Sequence, residues 1–262
     1  MSAPGQSSRA AEQFGATAAN YAVSRAHSAG ESLEQVAAFA AKGGRRYALA
    51  VDVATGAGFT AFEAAPHAER VIATDLTRPM LEQTRRLSRE RGLDRVELAM
   101  TLAESLPFAD GSISLLTCRT APHHFADVRR WLGETARVLE PGGVFVLCDT
   151  VAPEDAEIAA WMNEVELERD PSHVRNWPPS EWERAVADAG LRVTDTAMCK
   201  VWHEGVDWTA RSNMALDDAA RVQARVRSAS PAIRQAFGVE QDASGNLTWY
   251  WDVLVLRAEK VG

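Results

Sequence analysis

The sequence is short of cysteine, of tyrosine and of net positive charge, and each shortage excludes something. Its three cysteines, Cys118, Cys148 and Cys199, lie in apolar, strand-like runs and never at C-x-x-C spacing. That excludes a disulfide framework and leaves buried thiols of a reducing compartment as the expectation. None of the three tyrosines, Tyr21, Tyr47 and Tyr250, has a lysine four residues later, so the Tyr-x-x-x-Lys pair of hydride transfer is missing. The net charge is −8 and the sequence pI about 5.3, with no lysine- or arginine-rich run, which argues against a phosphate-backbone partner. No stretch approaches the roughly 18 to 20 apolar residues of a membrane span, and the opening MSAPGQSSRA carries no apolar h-region. The expectation is a cytoplasmic protein without a nucleic-acid or membrane partner, with a homo-oligomer left open.

At 262 residues the chain is long enough for one large domain or a domain with a cap. After a polar tail to about Ser8, expected to be mobile, two helical patterns run from Ala10 to Tyr21 and from Glu31 to Ala41. The stretch Tyr47 to Ala61, YALAVDVATGAGFTA, then reads as a buried strand, a glycine turn and the start of a helix. Strands are expected at Arg70–Thr74, Val96–Thr101, Ile113–Cys118 and Val144–Cys148. Helices from Phe59, from Thr77 to near Gly92 and from Ala126 to Leu139 alternate with them, and Ser180-Glu181-Trp182-Glu183 reads as a capping box for a helix ending at Gly190. Strands Leu191–Val201 and Leu247–Leu256 close the chain, about forty helical residues lying between them. This alternation implies an α/β fold with a doubly wound, mostly parallel sheet, divided into N-terminal lid helices over 1–45, a core over 46–150, and cap helices with the last two strands over 151–262.

Gly56-Ala57-Gly58-Phe59-Thr60-Ala61 fits G-x-G-x-x-A, and Asp75 follows Gly56 by nineteen residues, where an acid can accept both hydroxyls of a ribose. Asp52, just before the turn, would repel a pyrophosphate but could hold an ammonium. With a final reversed strand, these features favour an adenosyl amino acid over a dinucleotide.

The chain resembles the class I S-adenosylmethionine (SAM)-dependent methyltransferases, in particular their UbiE-like small-molecule branch, through VDVATGAG (51–58), VIATDLTRPML (71–81), AESLPF (103–108), CRTAPHHF (118–125), RVLEPGG (137–143) and RDPSHVR (169–175). The resemblance implies a Rossmann-like sheet of seven strands, the last antiparallel, with SAM as cofactor and S-adenosylhomocysteine (SAH) as product. It implies that Asp52, Gly56 and Gly58 hold the methionine portion and Asp75 the ribose. Leu76 and Met80 would lie against adenine, Ala103 and Glu104 at its edge, and Arg119 nearby after the fourth strand. Tyr21 and His27 fall on the segment that resembles a lid. Two positions depart from the pattern: Ala54 stands where a glycine is commonest, and Leu102 where relatives often have an aspartate facing the adenine amino group.

A hydroxyl or acidic C–H acceptor needs a base. His123 follows the fourth strand and Asp149 ends the fifth, so neighbouring parallel strands would bring them together, with Asp149 orienting the imidazole; the spacing resembles a His-Asp pair of sugar O-methyltransferases in this superfamily. His124 is the alternative base, and a purely local role for either is equally open. His173 and Arg175 either reach the pocket or pair with Asp170. A metal site from His123, His124 and His173 lacks a ligand spacing, and none is expected. Seven of the eight tryptophans lie beyond residue 150: they either pack a second helical layer or line an apolar pocket. The acidic run over 151–170 reads as a solvated helix face. The leading expectation is methyl transfer to oxygen or carbon of a small, largely apolar metabolite. A SAM-binding scaffold that catalyses a cyclisation or rearrangement without methyl transfer, and an NAD-dependent oxidoreductase, remain as alternatives.

Overall fold

The computed structural model describes residues 5–23, 28–93 and 95–262; His27 lies outside them. Helices α1 (Gln6–Val23) and α2 (Glu31–Ala41) precede β1 (Tyr47–Val53), α3 (Phe59–Ala64), β2 (Ala68–Asp75), α4 (Arg78–Glu90), β3 (Val96–Met100), β4 (Ile113–Arg119), α5 (Val128–Val138) and β5 (Leu139–Thr150). There follow α6 (Ala156–Arg169), α7 (Pro179–Asp188), β6 (Leu191–Glu204), α8 (Gly205–Arg211), α9 (Leu216–Arg227), α10 (Pro231–Phe237), β7 (Glu240–Gln241) and β8 (Leu247–Lys260). The sheet order is β3-β2-β1-β4-β5-β8-β6, and the two-residue β7 pairs with β8. Strands β1 to β5 pair in parallel, while β8 is antiparallel to both β5 and β6. This is the expected Rossmann-like sheet of seven strands with a reversed last strand, plus one short pairing the sequence did not announce.

Its central strands carry apolar side chains on both faces because helices cover both. Val51, Leu116, Phe145 and Leu147 pack with Trp131 and Trp182 in one cluster, and Tyr47, Ala50, Leu115, Val144 and Val146 with Val36 and Ala40 of α2 in another. All three cysteines are buried and free, as expected. A third cluster joins α6, α8, α9 and α10 to β8: Trp208, Trp249 and Trp251 are fully buried with Met162, Val165, Val222, Val226 and Phe237, and Trp161 packs against them. Four of the seven late tryptophans therefore build the second helical layer; Trp177 and Trp182 pack in the first cluster, and Trp202 is 59% exposed.

Three local expectations change. The tail is helical from Gln6, whose amide donates to the carbonyls of His124 (3.1 Å) and Ser172 (2.5 Å). On the acidic helix α6, Glu166 is buried and accepts from Trp251 Nε1 at 2.5 Å, so that face is not wholly solvated. The capping box does not form: α7 begins at Pro179, and Glu154 from another segment accepts from the Ser180 amide (2.9 Å) and hydroxyl (2.7 Å). A carboxylate at an orphan helix N–H replaces the local cap. Glu154→Ala is expected to lower stability by about 1 kcal/mol in urea unfolding, whereas Glu183→Ala, at the position the box would have used, should change it little. The reverse order would show that the local box does the capping.

Candidate active site

The carboxyl ends of β1, β2 and β4 and the helix α1 enclose a cleft of about 980 Å³, counting its open mouth. Ala54, Gly56, Asp75, Leu76, Met80, Ala103, Glu104, Arg119, His124 and Tyr21 all line it. Asp52 and Gly58, also singled out from the sequence, lie behind its wall. Ala54 and Thr120, at the ends of the adjacent strands β1 and β4, hold left-handed backbone (φ 53° each), a conformation that non-glycine residues keep only where the surroundings enforce it.

Asp52 is 1% exposed, and its two oxygens accept from Thr55 Oγ1 and Thr117 Oγ1 at 2.6 Å each. Burial pushes its pKa up to about 6, against the pull of the two hydroxyls and the Arg119 charge. Asp75 accepts from the amides of Gly56 (2.9 Å) and Thr77 (2.8 Å) and from the Thr77 hydroxyl. Burial again raises its pKa, opposed by those bonds. Arg119 donates from Nε to Thr60 Oγ1 at 3.0 Å, and burial lowers its pKa. The Glu104 carboxylate accepts from the amides of Ala126 (2.9 Å) and Asp127 (3.3 Å), pinning the loop after the histidines. Leu102 lines the cleft and bridges to Ser105.

Strands β4 and β5 pair from Ile113 to Arg119, and the chain beyond brings His123 onto Asp149. His123 Nδ1 lies 2.6 Å from Asp149 Oδ1, and the His123 amide donates to Oδ2 at 2.9 Å. Burial alone would lower the His123 pKa, but the charge and hydrogen bond of Asp149, with help from Glu166 and Asp170, raise it above the ordinary 6.5. His124 behaves oppositely. Its Nδ1 lies 3.1 Å from both the carbonyl and the hydroxyl of Ser172, and burial and then the neighbouring His123 drive its pKa far down. Geometry thus separates His123, which the sequence put first, from its alternative His124.

The rings of His123, His124 and His173 do come together, with centres 4.1 to 6.3 Å apart. Each nevertheless has a nitrogen engaged by Asp149, Ser172 or Asn163, and no metal-holding group of three or more His, Cys, Asp or Glu exists among the described residues. Arg175 turns outward to a bidentate pair with Glu181 rather than to the cleft or to Asp170, while Asp170 accepts from the Ser172 amide and hydroxyl.

Sequence reading missed Phe14, which meets Tyr21 and His124 edge-on at 5.7 and 4.8 Å and forms an apolar wall. The i, i+7 spacing of Phe14 and Tyr21 on one helix was the available signal. It also missed Thr55 and Thr117, the hydroxyls around Asp52, for which no spacing gives a cue.

A methyltransferase-domain family model matches residues 51–147. The uncharacterized methyltransferase YcgJ of Bacillus subtilis is 34% identical over 195 residues, 74% of this chain and 77% of that protein. Its crystal structure superimposes with a TM-score of 0.82 at 31% identity, covering 88% of this chain and 98% of that one. A demethylmenaquinone methyltransferase of Thermus thermophilus is 41% identical over 106 residues, 39% of this chain and 47% of the relative. Geranyl diphosphate C-methyltransferase of Streptomyces coelicolor, crystallised with Mg2+, geranyl diphosphate and SAH, shares the fold at 18% identity, with a TM-score of 0.60 over 87% of this chain and 78% of that one.

Proposed function

This chain belongs to the class I SAM-dependent methyltransferases, and from that premise we propose that it transfers the methyl group of SAM to oxygen or carbon of a small, largely apolar metabolite, with His123 as general base. The observation that carries the base is the 2.6 Å contact between His123 Nδ1 and the buried Asp149. It fixes the tautomer and leaves Nε2 as the nitrogen for a substrate proton.

The cleft fits the cofactor. A Cβ built on Gly56 (φ 56°) would meet no atom within 4 Å, so this backbone is bare where a ligand must approach. In this reading Asp75 takes the ribose hydroxyls, Leu76, Met80 and Ala103 pack on adenine, and Arg119 and Tyr21 close the methionine end. Asp52 acts from behind, shaping the turn through Thr55. Leu102 offers no side-chain acceptor, so recognition of the adenine amino group falls to main chain. Residues 1–45 act as lid, 46–150 as cofactor-binding core and 151–262 as acceptor cap.

Bound SAM supplies a methyl carbon already activated by a sulfonium. The protein then positions the acceptor, excludes water and removes one proton. SAH at 100 times its dissociation constant should stabilise the fold by about 2.7 kcal/mol, read as a rise in melting temperature, whereas NAD should leave it unchanged. Stabilisation by NAD and not by SAH would overturn the proposal in favour of the oxidoreductase reading.

A further inference from the structure

His173 lies on the loop between α6 and α7, its ring centre 5.7 Å from that of His123. It does not line the cofactor cleft. Its neighbours fix its tautomer. Asn163 donates from Nδ2 to the carbonyls of Ala159 (2.9 Å) and Asn176 (3.3 Å), while its Oδ1 accepts from the Asn176 amide at 2.6 Å. That oxygen, 2.9 Å from His173 Nε2, can only accept, so Nε2 carries the proton and Nδ1 is a bare lone pair. His173 is 5% exposed, and Nδ1 has no hydrogen-bond partner among the described residues. Burial first, and then the neighbouring His123, hold the ring neutral by lowering its pKa. Asn176, 1% exposed on the same loop, likewise leaves both side-chain atoms unpaired. Buried polar atoms of this kind are unfavourable unless a ligand or an ordered water satisfies them.

The neighbouring ring is that of His123, whose Nδ1 is taken by Asp149 and whose Nε2 takes the substrate proton in the proposed reaction. Resting on that reading, we infer that His173 Nδ1 accepts a hydrogen bond from a second hydroxyl of the substrate, so that the acceptor class is an apolar molecule with hydroxyls on neighbouring carbons. With ring centres 5.7 Å apart, the two imidazoles can each meet one of two oxygens on the same small molecule. In the transfer, the oxygen beside His123 forms the new bond to the methyl carbon and gives its proton to His123 Nε2. The sulfur–carbon bond breaks with its electrons left on sulfur. The second hydroxyl keeps its proton throughout and donates it to His173.

The test uses the full chain saturated with SAH and three probes with the same apolar tail, 4-hexylcatechol, 2-hexylhydroquinone and 4-hexylphenol, by titration calorimetry. The wild type should bind the catechol at least about tenfold more tightly than either other probe, because a site built for a hydroxyl rejects an analogue lacking it. His173→Phe should erase that preference while SAH affinity and melting temperature stay near wild type. His173→Gln, which keeps an acceptor oxygen, should retain most of it. Equal binding of the three probes, tighter binding of the hydroquinone, binding of none of them, or a preference that survives His173→Phe overturns the inference. If neither variant folds, the wild-type comparison decides alone. Failure of SAH itself to bind would instead overturn the methyltransferase reading.

Discussion

His123→Ala lowers turnover by about a hundredfold or more while SAM affinity stays within a factor of about three. The split follows from the geometry. His124, Asp75 and Gly56 line the cofactor cleft, whereas His123 is directed to Asp149 and the cap loop. Removing its imidazole takes away the proton acceptor and leaves the cofactor walls intact. The pH profile gives an independent reading, because the base works only when unprotonated and its pKa lies above the ordinary 6.5. Turnover in the wild type should therefore fall as pH drops, with a midpoint above 6.5. Asp149→Asn removes the charge that raises the pKa, so the midpoint should move to lower pH even as the maximal rate falls. The same shift is linked to stability: the favourable contribution of the protonated pair is fully present below 6.5 and is lost as pH rises through the folded pKa. SAH release with a turned-over acceptor measures the rate, and calorimetry the cofactor affinity. Turnover within about threefold of wild type would remove His123 as the base, and an equal loss in His124→Ala with SAM binding intact would point to the wrong histidine.

Gly58→Ala is expected to destabilise the fold by about 3 kcal/mol. Two penalties combine. Gly58 has φ 94°, and an added Cβ would lie 2.6 Å from both Phe62 Cζ and Thr84 Cγ2. Both atoms belong to buried side chains, of α3 and α4, so neither can retreat far. In a chain of this size the loss corresponds to a fall in melting temperature of about 10 °C. Gly56→Ala is the contrast: its added Cβ meets nothing, so the stability loss should be about 1 kcal/mol of backbone strain, while SAM affinity should drop because the new methyl enters the cleft. If Gly58→Ala melts within about 2 °C of wild type and instead loses SAM, the second glycine serves the cofactor as the sequence motif suggested.

These two glycines show where reading the sequence reaches its limit. G-x-G-x-x-A marks a strand, a turn and a helix, because a run of buried apolar residues followed by glycines admits few other conformations. It does not say which glycine faces the ligand and which faces a phenylalanine of the following helix, since that depends on how α3 and α4 pack. His123 and Asp149 were legible as a pair because parallel strands bring their own ends into register, and strand order follows from the βα alternation. His173 was named, but its partner Asn163, which sets its tautomer, lies a helix away at no characteristic spacing. Glu154 took the place of the capping box expected from the sequence for the same kind of reason: a carboxylate carried in by tertiary structure reached the Ser180 N–H and hydroxyl at the start of α7.

By itself the sequence determined the α/β alternation, the reversed last strand, the place of the cofactor turn and the membership of a methyltransferase family, all carried by local periodicity and ordered motifs. Only the tertiary structure decided that His124 turns to Ser172, that Asp52 and Gly58 stand behind the cleft, and that the late tryptophans other than Trp202 form packing. Those outcomes depend on contacts between residues far apart in the chain. Such contacts arise from packing one element on another, and no spacing within the sequence records them.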